Sequence, residues 1–149
     1  MIVRHAGVLD LADLVPLFDR YRQFYGQPSD LARARLFLAE RLDRGESVVL
    51  MAFDGDDAVG FTQLYPSFSS VRTARVVILN DLYVDPARRR SGAGEALVRA
   101  AVTHAREEGA AGLVLQTAVD NTPAQALYER LGWTRETGFH EYGFDLALT

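Results

Sequence analysis

Apolar residues in the first third of the chain recur at helical spacing. Residues 1–5 are typical of a short strand, and a helix follows that Asp10 and Asp13 cap and that ends at residues 26–28. A second helix is predicted from a cap at Ser29 to Arg44 and Gly45. Its apolar residues, Leu31, Ala34, Leu38 and Leu42, share one face.

From Ser47 onward the apolar period approaches two, which indicates strands. Residues 48–53 and 58–65 predict a hairpin joined by an Asp-Gly turn at 54–57. Residues 66–73 are expected to form a loop, and residues 74–84 a third strand. Because that strand is rich in apolar and β-branched residues, we expect it in the middle of the sheet.

The second half of the chain alternates helices and strands. Helices are predicted over 92–108 and 122–131, a strand over 112–118, and two closing strands over 133–137 and 140–146. Neither a repeat, a linker nor a low-complexity segment interrupts the sequence, so we expect a single domain over residues 1–149.

Composition and charge exclude several classes of function. The 149 residues are 48% hydrophobic and 24% charged, which is typical of one globular domain. The sequence contains no cysteine, so thiolate catalysis, disulfides and Cys-ligated metals are excluded, and a reducing cytoplasm is expected. A net charge of -4 disfavours nucleic acid as a partner. Apolar stretches are too short for a membrane span, and we expect neither a membrane partner, a cleaved signal nor a metal cofactor.

Residues 88–94 are the segment most informative about chemistry. They read Arg-Arg-Arg-Ser-Gly-Ala-Gly and stand between an apolar strand and a strong helix. Glycines let backbone N–H groups turn toward an anion, and the helix start and the arginines add positive charge. The residues after Gly94 are not the Lys and Ser or Thr of a P-loop, and Leu97 replaces the last small residue of the dinucleotide fingerprint. A diphosphate is the expected ligand, although such a loop is also found as a solvated basic turn.

Two motifs resemble those of the GNAT superfamily of N-acetyltransferases. Residues 89–94 match Gln or Arg, two residues, Gly, one residue, then Gly or Ala, and residues 121–133 match Asn-x-x-Ala-x-x-Leu-Tyr-x-x-x-Gly followed by an aromatic residue. The predicted order of elements also matches. The resemblance implies a mixed α/β fold with a mostly antiparallel sheet of about seven strands and four flanking helices.

The same resemblance implies acetyl-CoA as the acyl donor. Its pyrophosphate is expected on the amides of Arg89, Arg90, Ser91, Gly92, Ala93, Gly94 and Glu95. Its pantetheine arm is expected along Leu82, Tyr83 and Val84, with Asn121 and Ala124 also in contact. A carbonyl that gains negative charge is stabilised by fixed N–H donors, so this arrangement suits acyl transfer.

Two residues are candidates for proton transfer. The resemblance implies that Tyr128 protonates or hydrogen-bonds the departing thiolate, although a helical tyrosine is often a core residue. An alkylamine has a pKa near 10.4, so a base must remove its proton, and Asp81 is the candidate. The alternative for Asp81 is a structural hydrogen bond.

The acceptor is expected to be a small amine. Residues 79–84 are similar to the corresponding strand of diamine and polyamine acetyltransferases, although Asn80 stands where that branch has Glu. Tyr21, Tyr25, Phe68, Asn80 and Asp81 are the candidate acceptor-binding residues. The alternatives are acetylation of a protein N-terminus or lysine and a non-catalytic acyl-CoA sensor. Aromatic residues in the closing strands suggest a homodimer.

Overall fold

The computed structural model describes residues 1–146, and these form two compact units, Met1–Gln116 and the residues from Thr117 onward. Helices of the first unit are α1 (Leu11–Phe24), α2 (Leu31–Asp43) and α3 (Ala93–Glu107), and its strands are β1 (Ile2–His5), β2 (Val48–Asp54), β3 (Asp57–Ser69), β4 (Ala74–Val84) and β5 (Gly112–Leu115). The second unit contains α4 (Thr122–Arg130).

The five strands form one sheet in the order β1-β2-β3-β4-β5. The first three neighbouring pairs are antiparallel, whereas β4 and β5 are parallel. Parallel neighbours need a crossover, and α3 supplies it between β4 and β5. The predicted mixed α/β fold with four helices is confirmed.

The sheet has five strands, so the expectation of about seven is wrong. Within the described part of the chain, residues 133–137 and 140–146 form no strand. The side chains of residues 140–146 do alternate between polar and apolar, and Phe139, Tyr142 and Phe144 are each more than four-fifths exposed. A strand exists only where a neighbour pairs with its backbone, and alternation alone does not supply that neighbour.

The predicted loop at 66–73 is also partly wrong, because β3 continues through Pro66 to Ser69. The β2 ladder on β3 ends where Val48 pairs with Leu64. Beyond that point β3 has β4 as its strand neighbour, with Pro66 opposite Val77. Proline lacks a backbone N–H but is tolerated where a strand is paired on one side only.

Helices α1 and α2 pack against one another, and α1 also covers β3. Asp30 caps α2 by accepting a hydrogen bond from the Arg33 N–H, so the predicted cap at Ser29 is one residue early. The Ser29 hydroxyl instead donates to the buried carboxylate of Asp19 at 2.6 Å. The core between the helices and the sheet contains Leu14, Leu17, Phe18, Leu38, Met51 and Phe61.

Helix α3 lies against the other strands through one apolar face, with contacts to β2, β3 and β4. Leu97, Val98 and Ala101 on that face are fully buried. Burying a side chain of the size of Leu or Val contributes about 1.5–3 kcal/mol, so this face fixes the start of α3 beside the end of β4. Across residues 1–146, no helix is both long and apolar enough to cross a membrane.

Candidate active site

Asp81 is a buried carboxylate on β4 whose side chain is 3% exposed. Its Oδ1 accepts hydrogen bonds from Asn80 Nδ2 at 2.7 Å and from the Tyr21 hydroxyl at 3.3 Å. Its Oδ2 accepts from Gln63 Nε2 at 2.6 Å. A carboxylate has about four acceptor positions, so these donors leave one position on Oδ2 for a further N–H or O–H group.

The donors around Asp81 are all electrically neutral. Burial raises the pKa of the Asp81 carboxyl above its usual range, whereas the hydrogen bonds from Asn80, Gln63 and Tyr21 oppose that rise. A carboxylate with a raised pKa holds a proton more firmly than an exposed aspartate does. This is the property that a general base needs.

Gln63 is fully buried on β3, directly opposite Asp81 in the antiparallel ladder. Its Oε1 is buried without a hydrogen-bond partner among the residues that the structure describes. A 180° flip of the Gln63 side-chain amide would place Oε1 against Asp81 Oδ2. In that orientation Oε1 can accept a hydrogen bond from the O–H of a protonated Asp81 carboxyl. Gln63 can therefore hydrogen-bond to Asp81 in either protonation state of the carboxyl. Sequence analysis did not identify Gln63 as a site residue. An amide side chain inside the mostly apolar stretch 58–65 is the signal that indicates it.

Aromatic side chains surround the same carboxylate on the side of α1. The Tyr21 ring contacts Phe61 and Tyr25, with ring centres 5.8 and 5.1 Å apart. Burial and the nearby Asp81 charge raise the pKa of Tyr21, so its hydroxyl stays protonated and donates. The same two causes raise the pKa of Tyr65 to about 12. Tyr25 is 57% exposed, so this aromatic cluster extends from the buried carboxylate to solvent.

A β-bulge interrupts β4 at this site. Gln63 pairs with Asp81 and Leu64 with Leu79, which leaves Asn80 as the extra residue. The parallel ladder to β5 also ends at Leu79. Bulges bend a strand and redirect its side chains, and here the bend comes directly before Asp81.

Beyond the bulge, no strand among residues 1–146 pairs with β4 on its β5 side. Asp85 N–H donates to the Val59 carbonyl, and hydrogen-bonded pairs alternate along an antiparallel ladder, so Tyr83 and Asp81 bond to β3. The Tyr83 carbonyl lies 2.6 Å from the place where a Cβ on Gly60 would stand, which agrees with this assignment. The N–H and C=O groups of Leu82 and Val84 consequently point toward the open edge.

The Arg-Gly loop, residues 88–95, follows β4 and begins α3. Gly92 is the N-cap, and having no side chain it leaves the first N–H groups of α3 available. Arg90 and Gly92 both have positive φ, 68° and 86°, in the left-handed region that favours glycine. A loop with this conformation turns backbone N–H groups inward and suits an anion.

The three arginines of this loop have different partners. Arg88 donates to the carboxylates of Asp54 and Asp57 at 2.7 and 3.0 Å, so it holds the loop to the β2–β3 hairpin. Arg89 and Arg90 are exposed. Arg89 and Arg90 are therefore the exposed positive charges that directly precede the start of α3, whose first turn also contains Glu95.

In the second unit, Asn121 is the N-cap of α4, and its Oδ1 accepts a hydrogen bond from the Ala124 N–H. The cap fixes the first turn of the helix, which contains Ala124. Tyr128 is 8% exposed, and its ring centre lies 5.9 Å from that of Trp133. The second predicted motif is thus one folded element.

The structure brings together four of the five predicted acceptor-binding residues: Asp81, Asn80, Tyr21 and Tyr25. Phe68 is not among them, because it lies five residues along β3 from Gln63, a separation of about 16 Å. Its ring is 71% exposed and receives the Arg75 guanidinium at 5.5 Å. Within residues 1–146, no cluster of three or more His, Asp or Glu side chains is arranged to hold a metal ion.

Comparison with known proteins identifies the family. The model of the acetyltransferase (GNAT) family matches residues 12–133, and the chain belongs to this family. It is a GNAT-family N-acetyltransferase, and this family uses acetyl-CoA.

Two relatives match nearly the whole chain. An uncharacterized N-acetyltransferase, YhfO of Bacillus subtilis (strain 168), is 49% identical over 142 residues, 95% of each chain. The crystal structure of a probable acetyltransferase is 40% identical, with a TM-score of 0.93 over 99% of each chain. A mycothiol acetyltransferase of Corynebacterium glutamicum (strain R) is 38% identical over 101 residues, which is 33% of its own length.

Proposed function

We propose that this protein transfers an acetyl group from acetyl-CoA to the primary amine of a small molecule, with Asp81 as the general base. The observation that carries the proposal is the position of the Asp81 carboxylate: it lies on β4 at the bulge where the strand gains an open edge. A proton acceptor and a row of free backbone groups therefore occupy consecutive residues of one strand.

The donor-binding part of the proposal depends on two features of the first unit. The open start of α3 at Gly92, flanked by Arg89 and Arg90, suits a diphosphate. The N–H and C=O groups of Leu82 and Val84 suit an amide-rich arm that adds to the strand edge. Both features lie between the end of β4 and the first turn of α3, so one extended molecule can use both.

The chemical step requires a neutral amine. An alkylammonium group with a pKa near 10.4 gives up one N–H proton to Asp81, whose remaining acceptor position is on Oδ2. The nitrogen lone pair then attacks the thioester carbonyl carbon, the C–S bond breaks, and the nitrogen gives up a second proton to solvent as the amide forms. The sulfur leaves as a thiolate that takes one proton. With no cysteine in the chain, transfer proceeds directly between the two bound substrates.

The proton for the thiolate is assigned to the hydroxyl of Tyr128. This assignment depends on its position in the second GNAT-like motif, at the eighth residue counted from Asn121. A phenol donates a hydrogen bond to a developing thiolate, or the whole proton, at low reorganisation cost when its position is fixed. The buried ring of Tyr128 against Trp133 provides such a fixed position.

A diamine or polyamine is the acceptor class that we propose. Tyr21 and Tyr25 supply aromatic faces for an alkylammonium chain, and Asp81 supplies one anionic end. Asn80 is neutral and donates to Asp81, so the site contains one carboxylate where the polyamine branch has two. Monoamines are therefore expected to compete better here than in an enzyme with two carboxylates.

Release of CoA thiol from acetyl-CoA tests the proposal, with diamines, polyamines, amino acids, aminoglycosides and basic peptides as acceptors. Selective acceleration by small amines supports it. Acceleration by basic peptides alone would indicate a protein acetyltransferase. Acetyl-CoA binding without release for any acceptor would favour the sensing module and contradict the proposal.

A further inference from the structure

The two oxygens of the Asp81 carboxylate have different donors. Within residues 1–146, Asn80 and Tyr21 both donate to Oδ1, at 2.7 and 3.3 Å, whereas Gln63 is the side chain that donates to Oδ2, at 2.6 Å. Oδ2 is also the oxygen that has an acceptor position left for the proton of an amine. The basicity of the oxygen that would take the proton therefore depends most directly on Gln63.

The Gln63 side chain is held where water cannot take its place. It is fully buried on β3, and the two ladders put it between Val49 of β2 and Asp81 of β4. Phe61, two residues away on the same face of β3, is fully buried as well. If the Nε2 donor is removed, Oδ2 loses a hydrogen bond that solvent does not restore, and a buried carboxylate without that bond is costly to keep charged.

We infer that Gln63 is a positioning residue for acetyl transfer, which fixes the orientation of Asp81 Oδ2 and keeps the carboxylate ionised before the proton arrives. The inference rests on the proposed function, in which Asp81 is the general base. A hydrogen bond to a charged acceptor is roughly twice as strong as one to a neutral acceptor, so the Nε2 donor favours the ionised carboxylate. In the proton transfer itself an N–H bond of the ammonium breaks, an O–H bond forms on Oδ2, and the electron pair stays on nitrogen.

The same amide can also serve the protonated carboxyl. A 180° flip breaks the Nε2 bond to Asp81 and no other, because Oε1 has no hydrogen-bond partner within residues 1–146. The Asp81 backbone stays in place during such a flip, since the buried hydroxyl of Thr62 donates to its carbonyl at 2.8 Å. Proton uptake therefore requires the rotation of one side-chain amide and no movement of a strand.

The pH dependence of kcat/KM for the best small-amine acceptor, at saturating acetyl-CoA, tests this role with Gln63→Met. Methionine keeps the unbranched shape of the side chain and removes its donor and its acceptor. Without the donor, Asp81 is expected to take up its proton at higher pH, so the acid limb moves up by about one pH unit. At pH values below both limbs kcat/KM is then about tenfold below wild type, and at high pH it is near wild type.

Thr62→Val is the matched control, because Thr62 is a fully buried neighbour on the same strand that bonds to the Asp81 backbone and not to its carboxylate. This variant is expected to lower Tm without moving the acid limb. A shift of the acid limb in Gln63→Met alone therefore separates control of the carboxylate from a general loss of packing.

Carbon-13 NMR of the aspartate carboxyls measures the same effect without turnover. The Asp81 signal is assigned by its loss in Asp81→Asn, and its titration midpoint is expected to rise in Gln63→Met together with the acid limb. Gln63→Glu is the second variant. It places two carboxyls at hydrogen-bond distance, and the midpoint is expected to rise further because the pair shares one proton. Circular dichroism checks that each variant is folded.

The two measurements distinguish failure of this inference from failure of the proposed function. A midpoint that stays at the wild-type pH in the folded variants would overturn the inference whatever the rate does, since a residue that only fills space leaves the titration of Asp81 unmoved. A midpoint that rises while the acid limb stays in place would support control of Asp81 by Gln63 and contradict Asp81 as the general base.

Discussion

Two neighbouring regions of the first unit hold charge in opposite ways. The Asp81 carboxylate is buried and surrounded by neutral donors, one each from β3, β4 and α1. The Arg-Gly loop carries its positive charge on the exposed residues Arg89 and Arg90 and on open backbone N–H groups. Burial in the first region raises the pKa of the Asp81 carboxyl, whereas the second region presents exposed positive charge and open N–H groups to an anionic ligand.

The difference predicts how each region responds to substitution. A buried charge is screened little by water or salt, so changing Asp81 is expected to affect the reaction itself. Exposed charge is screened by salt, so changing the arginines is expected to affect binding and to depend on ionic strength. Substitution of Asp81 is thus expected to change the catalytic rate, whereas substitution of the arginines is expected to change the affinity for acetyl-CoA, although the two sites are close in sequence.

The largest effect is expected from Asp81→Asn. Losing a general base costs about 10²–10⁴-fold in rate, so kcat is expected to fall at least a hundredfold across the pH range while the Kd for acetyl-CoA is unchanged. Asp19→Asn is the matched control, because Asp19 is also 3% exposed and also accepts three hydrogen bonds, from Ser29, Gln23 and the Asp30 N–H. Equal turnover in both variants would show that Asp81 is structural.

The next largest effect is expected from Tyr128→Phe. Removing the hydroxyl leaves the departing thiolate without its proposed donor, so kcat is expected to fall roughly tenfold to a hundredfold with little change in the Kd for acetyl-CoA. Tyr142→Phe removes an equivalent hydroxyl from an exposed ring and is expected to be neutral. Unchanged turnover of Tyr128→Phe under conditions where chemistry limits the rate would remove Tyr128 from the mechanism.

A smaller effect, confined to binding, is expected from Arg89→Ala combined with Arg90→Ala. Two exposed charge interactions together contribute about 0.4–2 kcal/mol, so the Kd for acetyl-CoA is expected to rise about twofold to thirtyfold. Calorimetry at two salt concentrations measures this, and the difference from wild type is expected to shrink at high salt. Arg33→Ala with Arg35→Ala removes the same charge from the exposed face of α2 and controls for net charge. Equal affinities of both double variants would place the anion elsewhere.

The smallest effect concerns the pH dependence of stability. The two buried aspartates are expected to change the free energy of unfolding in opposite directions as pH rises. Hydrogen bonds lower the pKa of Asp19, the Ser29 hydroxyl first, so its stabilisation is present at neutral pH and is lost as pH falls through its folded pKa. Burial raises the pKa of Asp81, so its contribution is favourable at low pH and is lost as pH rises through its folded pKa.

Thermal melts of the same two variants measure these signs. At neutral pH, Asp19→Asn is expected to lower Tm by a few degrees and Asp81→Asn to leave it unchanged or raise it, with both differences shrinking as pH falls. The Gln63 amide can turn its Oε1 toward the new amide, which keeps the second substitution tolerable. A large loss of Tm for Asp81→Asn at neutral pH would mean that the Asp81 charge stabilises the fold.

Most of the fold could be predicted from local pattern. Helical spacing around Leu97 and Leu38, and the Asp-Gly turn at residues 54–57, each specify an element without help from the rest of the chain. The closing strands could not be predicted in the same way, because a strand depends on a partner and the partner is not encoded in the alternation around Tyr142. For the same reason the sequence did not predict that β3 continues through Pro66, because that continuation depends on where the pairing with β2 ends.

The parts of the site that lie in one contiguous motif could be predicted from the sequence. The parts that form only when two strands pair could not. The Arg-Gly loop is contiguous, so its glycines and arginines could be found from the sequence. Gln63 meets Asp81 only through the register of β3 and β4, and Asn80 becomes a bulge residue only through the shift in that register. Neither the Gln63–Asp81 contact nor the bulge at Asn80 can be predicted from residue spacing along the chain.

The central claim is that Asp81 removes the proton from a small amine before acetyl transfer, and pre-steady-state release of CoA thiol with the best small-amine acceptor tests it most directly. The Asp81→Asn and Asp19→Asn variants are compared at matched saturation with acetyl-CoA. The account predicts a transfer rate at least a hundredfold below wild type for Asp81→Asn and a rate near wild type for Asp19→Asn. Wild-type rates in both variants, or an equal loss in both, would contradict it.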